Sequence, residues 1–373
     1  MLNFPSSWAS LNVALAHDWL TGMRGGEKCL EILGQGFPRA PLRTLLHNPA
    51  SVSDTINNRK IETSFLQHIP RIAKHYRYWL PIFPFAANRF PPVEADLLIS
   101  TSHCVAKAMR AKPPGKHLCY CFTPMRYAWT FHDEYFGAGS LKQRIAKPIL
   151  TRLRDWDRRA SDRVDRFIGI SKHVCTRINR YYGREADLVY PPVDTEFYTR
   201  STTGAERQDF DLIVSALVPY KRVDLAVRAY ARSGRKLKIV GAGTDTAALR
   251  ALAQPNIEFL GWRSNEEIRA LYQTCRLLVF PGEEDFGIVP LEAQACGAPV
   301  AAFARGGALE TLIPDETAVF FEEQTEDALL AATTRILNRT WRESRIRQNA
   351  ERFSAQAYVD GIARSIETLL AKS

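Results

Sequence analysis

The stretch "RLLVFPGEEDFGIVPLEAQACGAPVAAF", Arg276 to Phe303, opens with an apolar run that breaks at Pro281-Gly282. A loop carrying Glu283 and Glu284 follows, then a helix-like segment around Pro290 and Glu292, then a second apolar run to Phe303. Runs of this length without polar alternation read as strands buried on both faces, which parallel sheets covered by helices provide. The stretch is therefore one strand–helix–strand unit, and it places two carboxylates where a strand hands over to a helix.

The same rhythm extends in both directions. In the second half the expected strands are 211–216, 236–241, 257–262, 276–280, 298–303 and 318–321. In the first half they are 11–16, 42–47, 96–101, 117–122, 166–171 and 188–193. A chain of 373 residues is too long for one ordinary core. Two such sets imply an α/β protein of two doubly wound, Rossmann-like domains facing each other across a cleft. The expected domains are 1–195 and 205–354, joined through the Pro-, Thr- and charge-rich stretch from Pro191 to Gln208. A last helix is expected near 355–370; its packing is open on residue grounds.

Composition narrows the classes. No run approaches the roughly 20 apolar residues of a membrane span. The first residues lack the basic and apolar regions of a signal peptide, so none is expected. The seven cysteines show no CxxC spacing, and reduced, mostly buried thiols are the reading. The net charge of +10 is uneven: residues 1–200 hold 29 Lys and Arg against 17 Asp and Glu, or +12, leaving −2 for the remainder. An excess confined to one half suggests an anionic partner there, such as a membrane surface, a lipid diphosphate or a nucleic acid; a solvated basic face is the alternative. "SFLQHIPRIAKHYRYWLPIFPFAANRF", residues 64–90, interleaves bases with aromatics and suits an anionic membrane interface, or a surface helix packed on its own domain. No nucleic-acid motif accompanies the charge.

Several motifs stop short of a site. Gly22, Gly25 and Gly26 follow the first strand and would let backbone amides approach a phosphate, or simply form a tight turn. Gly241 and Gly243 make half of a dinucleotide fingerprint, without its third glycine. Asp155 and Asp157 form an Asp-x-Asp, but on a helix they point apart, and the reading is a solvated face with arginine neighbours. No GxSxG elbow is present. His17, Asp18 and His103 lie at or just past strand ends, where ligands bind in open parallel sheets, though without metal-ligand spacing. Pro290 is expected at the first helical position, which would place Glu292 in the first turn.

On "EEDFGIVPLEAQACGAPV" the chain resembles the Glu-x7-Glu signature of retaining GT-B glycosyltransferases, the family-4-like group that includes sucrose synthases and bacterial mannosyltransferases. "LVPYKRVDLAV", "GAGTDTAALRALA", "IEFLGW" and "ARGGALET" fall in that family's order. "AHDWLTGMRGGEKCLE", "STSHCVAKAM", "TPMRYAW" and "YYGREADLVYPPVD" resemble its mannosyltransferase-type branch, which builds surface polysaccharides. The resemblance implies a GT-B fold whose second domain binds the nucleotide sugar and whose first binds the acceptor. It also implies that the last helix, 355–373, completes the first domain. The implied roles are Lys221 on the diphosphate, Glu284 and His103 at the sugar, the Phe286, Gly287 and Ile288 backbone beside it, Glu292 on the ribose, and Gly25 and Gly26 over the diphosphate. His17, Asp18 and Arg126 are candidates for the acceptor.

No metal or other cofactor is implied. The donor is a nucleotide sugar, GDP-mannose by branch resemblance, and the acceptor is lipid-linked or a glycan. The location implied is cytoplasmic, peripheral on the inner membrane face, with no nucleic-acid partner. Two departures stand out. Members usually carry an arginine five residues before the lysine, where this chain has Ala216; adjoining Arg222 would point elsewhere on a regular backbone. Phe122 and Thr130 stand where the branch often has histidine and aspartate. The alternative reading is a non-catalytic or impaired nucleotide-sugar or glycan-binding protein on the same fold.

Overall fold

The computed structural model describes residues 2–129, 141–201 and 206–371. The chain divides into two compact units, one formed by Met1–Pro192 with Ala355–Ser373 and the other by Val193–Ser354. Thr130 lies outside the described residues.

In the first unit seven strands form one sheet: β1 (Val13–His17), β2 (Leu42–Thr44), β3 (Ile61–Thr63), β4 (Leu97–Ser102), β5 (Lys116–Cys121), β6 (Arg166–Gly169) and β7 (Ala186–Leu188). They lie in the order β3-β2-β1-β4-β5-β6-β7, and every pair is parallel. In the second unit β8 (Asp211–Val214), β9 (Leu237–Val240), β10 (Ile257–Gly261), β11 (Leu278–Phe280), β12 (Val300–Phe303) and β13 (Ala318–Phe321) form the second sheet. Their order is β10-β9-β8-β11-β12-β13, again all parallel. Both sheets thus reverse direction of winding beside their first strand. That reversal opens a crevice at the carboxyl ends of β1 and β4 in one unit, and of β8 and β11 in the other.

The expected two-sided burial holds. Neighbours along a strand point to opposite faces. Leu212 and Leu278 enter one core of the second unit, while Ile213 and Val279 enter the core on the other side of the same sheet. The helix Ala355–Leu370 packs in the first unit, where Tyr358 meets Tyr120 edge-on at 5.3 Å between ring centres. A Cβ on Gly361 would lie 2.6 Å from Val189, so only glycine allows this helix to settle so closely.

Two strand expectations and one helix expectation need correction. β3 was not among the expected strands: three half-exposed residues at a sheet edge carry no apolar run to recognise. The strand expected at 188–193 is instead Ala186–Leu188, since Pro191 and Pro192 cannot donate to a ladder. The Asp155/Asp157 helix face is not solvated throughout. Asp157 is fully buried, accepting from Lys107 Nζ at 2.5 Å, Trp129 Nε1 at 2.8 Å and the Tyr182 hydroxyl at 2.7 Å. It ties the helix Leu141–Ser161 and the helix Lys172–Tyr182 to the turn after β4. All seven cysteines are unpaired, six of them buried.

Candidate functional site

At the switch point of the second sheet, the chain leaving β8 turns at Pro219–Lys221, and the chain leaving β11 runs as a loop into the helix Ile288–Ala295. These two segments are pressed together. A Cβ on Gly282 would lie 2.8 Å from the Lys221 backbone, so Gly282 permits the contact. From the other side the loop after β12 closes in: the Gly307 N–H donates to Glu284 O at 2.8 Å, and a Gly307 Cβ would sit 2.3 Å from Phe286 Cα. The loop bearing Glu284, Phe286 and Gly287 is thus clamped between two backbones.

Within that clamp Lys221 Nζ pairs with Glu284 Oε1, with the side chains 14% and 20% exposed. The pair is mostly shielded yet reachable, and each charge is the other's partner. Gly287 caps the helix at φ 91, a left-handed conformation that glycine adopts at little cost. Pro290 is the third helical residue, not the first, and Glu292 is the fifth. The expectation of Glu292 in the first turn is corrected accordingly: its carboxylate is held by Tyr272, whose hydroxyl donates to Oε2 at 3.2 Å. Burial, and then the Glu292 carboxylate, push the Tyr272 phenol far up, so it remains a donor. Tyr272 escaped the sequence reading because it sits twenty residues before Glu292, on a neighbouring helix, with no local signal.

Ala216, just past β8, is exposed. Arg222 does not substitute. It adopts a left-handed backbone at φ 52 and turns its guanidinium to Asp224 at 3.3 Å and Gln324 at 2.7 Å. Gly241 and Gly243 have a packing role, because a Cβ on either would lie 1.9 Å from Ser215 O or 2.1 Å from Leu217 O.

At the switch point of the first sheet, β1 ends in His17 and Asp18 follows, while β4 ends in Ser102 and His103 follows. Asp18 is fully buried. Its Oδ2 accepts from the backbone N–H of His103 at 2.6 Å and of Cys104 at 2.9 Å, and its Oδ1 from Val105 at 2.6 Å and Ala106 at 2.7 Å. His103 Nδ1 lies 3.0 Å from Oδ2. Burial pushes the Asp18 carboxyl up, but the charge of the His103 ring when it is protonated and the His103 hydrogen bonds, with a smaller contribution from His17, outweigh it and hold the group well below the usual carboxylate range.

His17 is 1% exposed, with Nδ1 2.7 Å from Thr101 Oγ1 and Nε2 3.9 Å from Glu27 Oε1. Burial lowers its pKa, against the raising effect of Glu27 and Asp18. His17 and Asp18, the expected acceptor candidates, are thus both buried and engaged with other protein groups. Both belong to the support beneath His103.

Gly25 opens the helix Gly25–Gly36, where the Glu27 side chain accepts from the Arg24 N–H at 3.1 Å. A Cβ on Gly26 would lie 3.2 Å from the Phe122 ring, so Gly26 keeps the helix start against β5. Arg126 begins the turn Arg126–Trp129 and is half-buried. Among the described residues no three His, Cys, Asp or Glu side chains are grouped as metal ligands would be.

Comparison with known proteins agrees with this division. Residues 194–353 match the family model described as Glycosyl transferases group 1. The chain is 26% identical over 200 residues to an uncharacterised glycosyltransferase of Methanocaldococcus jannaschii, covering 52% of this chain and 56% of that protein. It is 31% identical over 186 residues to a GDP-mannose-dependent monoacylated alpha-(1-6)-phosphatidylinositol monomannoside mannosyltransferase of Corynebacterium glutamicum, covering 42% and 49%. The matches therefore span about half the length of these relatives. The solved structure of Anabaena HepE in complex with UDP and glucose superposes with a TM-score of 0.65 at 18% identity, over 96% of this chain and 100% of that one. This chain thus has the fold of GT-B proteins, two parallel-sheet Rossmann-like domains, and the likeness to the glycosyltransferase group 1 model lies in residues 194–353.

Proposed function

We propose that the protein is a metal-independent, retaining glycosyltransferase that moves mannose from GDP-mannose to a lipid-linked or polysaccharide acceptor. The observation that carries this reading is the Lys221–Glu284 pair at the β8/β11 switch point, with Glu292 eight residues further on. A diphosphate is the natural competitor for the Lys221 ammonium, and sugar hydroxyls are natural donors to the freed Glu284 carboxylate. Glu292, oriented by Tyr272, suits ribose hydroxyls.

In the reaction the bond from the sugar's anomeric carbon to the diphosphate oxygen breaks, and its electron pair leaves with the diphosphate. The acceptor hydroxyl bonds to the same face of that carbon, and its proton passes to the departing phosphate. Lys221 stabilises the charge that grows on the leaving group, and no glycosidase-like carboxylate pair is required. GDP-mannose is favoured by the likeness to the Corynebacterium glutamicum enzyme, whereas the HepE structure holds UDP and glucose. Release of nucleotide from GDP-mannose, and not from UDP-glucose, is the expected result; transfer from UDP-sugars alone would overturn the mannose assignment.

Features of the first unit support a membrane-side acceptor and location. Between Thr63 and Val93 there is no Asp or Glu, while Arg71, Lys74, Arg77 and Arg89 are present. Tyr78 is 84% exposed and Phe85 is 55% exposed on the same segment. Exposed aromatics in a purely cationic segment suit the interface of an anionic bilayer, and among the described residues no helix is long and apolar enough to cross one. Cytoplasmic residence on the inner membrane face fits a nucleotide-sugar donor. Flotation with anionic but not neutral liposomes, lost at high salt, is expected.

One observation favours a second reading. Ala216 leaves Lys221 without an arginine companion and Arg222 is turned away, as befits a protein that binds nucleotide sugar or glycan without turnover.

A further inference from the structure

We infer that Asp18 is the positioning residue of His103, fixing its ring so that Nε2 is presented as a hydrogen-bond acceptor for a sugar hydroxyl. This rests on the glycosyltransferase reading and concerns how the first unit takes part in it.

The geometry is unusually complete. A single buried carboxylate gathers four consecutive backbone N–H groups, those of residues 103 to 106, at 2.6 to 2.9 Å. Ser102 Oγ lies a further 3.4 Å from Oδ1. The turn after β4 is therefore wrapped around the end of β1, and its first side chain is held as well, because His103 Nδ1 stands 3.0 Å from Oδ2.

An ionised carboxylate only accepts hydrogen bonds, so in the neutral ring the proton must lie on Nδ1. The lone pair is then on Nε2. Trp19 packs edge-on to the ring at 4.5 Å and Phe122 lies at 6.4 Å, which leaves the side chain 31% exposed. Among the ionisable groups nearby, His17 and, behind it, Glu27 are buried and already engaged. The lone pair of a ring pinned at Nδ1 accepts a hydrogen bond from a hydroxyl and repels a phosphate oxygen. His103 is thereby matched to the sugar and not to the diphosphate. The tautomer was invisible in "STSHCVAKAM", since the controlling carboxylate is 85 residues away in sequence.

Nitrogen-15 NMR of histidine-labelled full-length protein at pH 8 tests this, with the His103 signals identified by their loss in His103→Gln. The expected spectrum shows His103 as the Nδ1–H tautomer, and Asp18→Asn shifts it toward Nε2–H. In turnover assays Asp18→Asn is expected to lower kcat about 10- to 100-fold while KM for the nucleotide sugar changes less than about threefold. An Nε2–H tautomer in the unmodified protein overturns the proposal even if Asp18→Asn does not fold, and so does unchanged kcat in a folded variant. An Nδ1–H tautomer in a protein that transfers no sugar from any donor would uphold the positioning and overturn the function.

Discussion

Lys221 and Glu284 neutralise one another inside the second unit, joining the turn after β8 to the loop after β11. Since each is the other's charge partner, a ligand bearing both a diphosphate and hydroxyls must separate them, offering each a replacement. On the proposed function, removing Lys221 takes away the charge that would stabilise the leaving group. Lys221→Ala is expected to cost about 2–5 kcal/mol in the transition state, roughly 30- to several-thousand-fold in kcat/KM. Glu284→Gln frees the lysine, so nucleotide diphosphate alone is expected to bind it more tightly while transfer falls. Isothermal titration with GDP beside a turnover assay checks both.

Ala216 is exposed, so a longer side chain has room there. Ala216→Arg is expected to raise transfer at least tenfold by giving Lys221 a second cation on the diphosphate. Nucleotide binding without any transfer, in both forms of the protein, would identify a binding module instead.

Gly307 tests the clamp on the Glu284 loop without any change of charge. Its backbone is not in the left-handed region, so the objection to a side chain is purely steric: a Cβ would lie 2.3 Å from Phe286 Cα. Gly307→Ala is expected to push the loop away, destabilising the second unit by about 1–3 kcal/mol. KM for the nucleotide sugar should rise with it. Thermal denaturation and donor saturation curves measure the two effects.

Lys107 and Asp157 are 1% and 0% exposed, and their pair links the turn after β4 to the two helices behind it. Lys107→Met leaves a buried carboxylate uncompensated and is expected to destabilise by about 3–5 kcal/mol. The double variant Lys107→Met/Asp157→Leu should recover a substantial part of that loss. Urea unfolding of the single and double variants provides the comparison.

His117 predicts an acid limb in stability. Burial lowers its pKa to about 4, against smaller raising effects of the Arg163 carbonyl and Asp165. Its Nε2 lies 2.8 Å from Ser100 Oγ and its Nδ1 3.2 Å from Arg163 O, an arrangement suited to the neutral ring. The unfolded chain takes up the proton first, near pH 6.5, so stability is full above that value and declines as pH falls toward 4. The loss is roughly 3 kcal/mol. Unfolding free energies between pH 7 and 4 should show this decline, and His117→Gln should flatten it.

The amino-acid sequence alone determined the architecture. Apolar runs such as "DLIVSA" and "RLLVF" are too continuous for half-exposed strands, and helical segments separate them, so parallel sheets with covered faces were the consistent solution. Each of the six strands of the second sheet was legible in this way, with ends differing by up to two residues. Gly287 and the spacing of Glu284 and Glu292 were legible too, because turn geometry and helix starts depend on neighbours a few residues away. The edge strand β3 was not, since a short, half-exposed edge has no periodic burial to imprint on its residues. Only the tertiary structure decided the partnerships: Lys221 with Glu284, Tyr272 with Glu292, Asp157 with Lys107, and Asp18 with the turn holding His103. These contacts join segments 20 to 88 residues apart. A buried carboxylate and a solvated one look identical in a sequence, and what separates them is which distant amides and cations the sheet order brings within hydrogen-bonding reach.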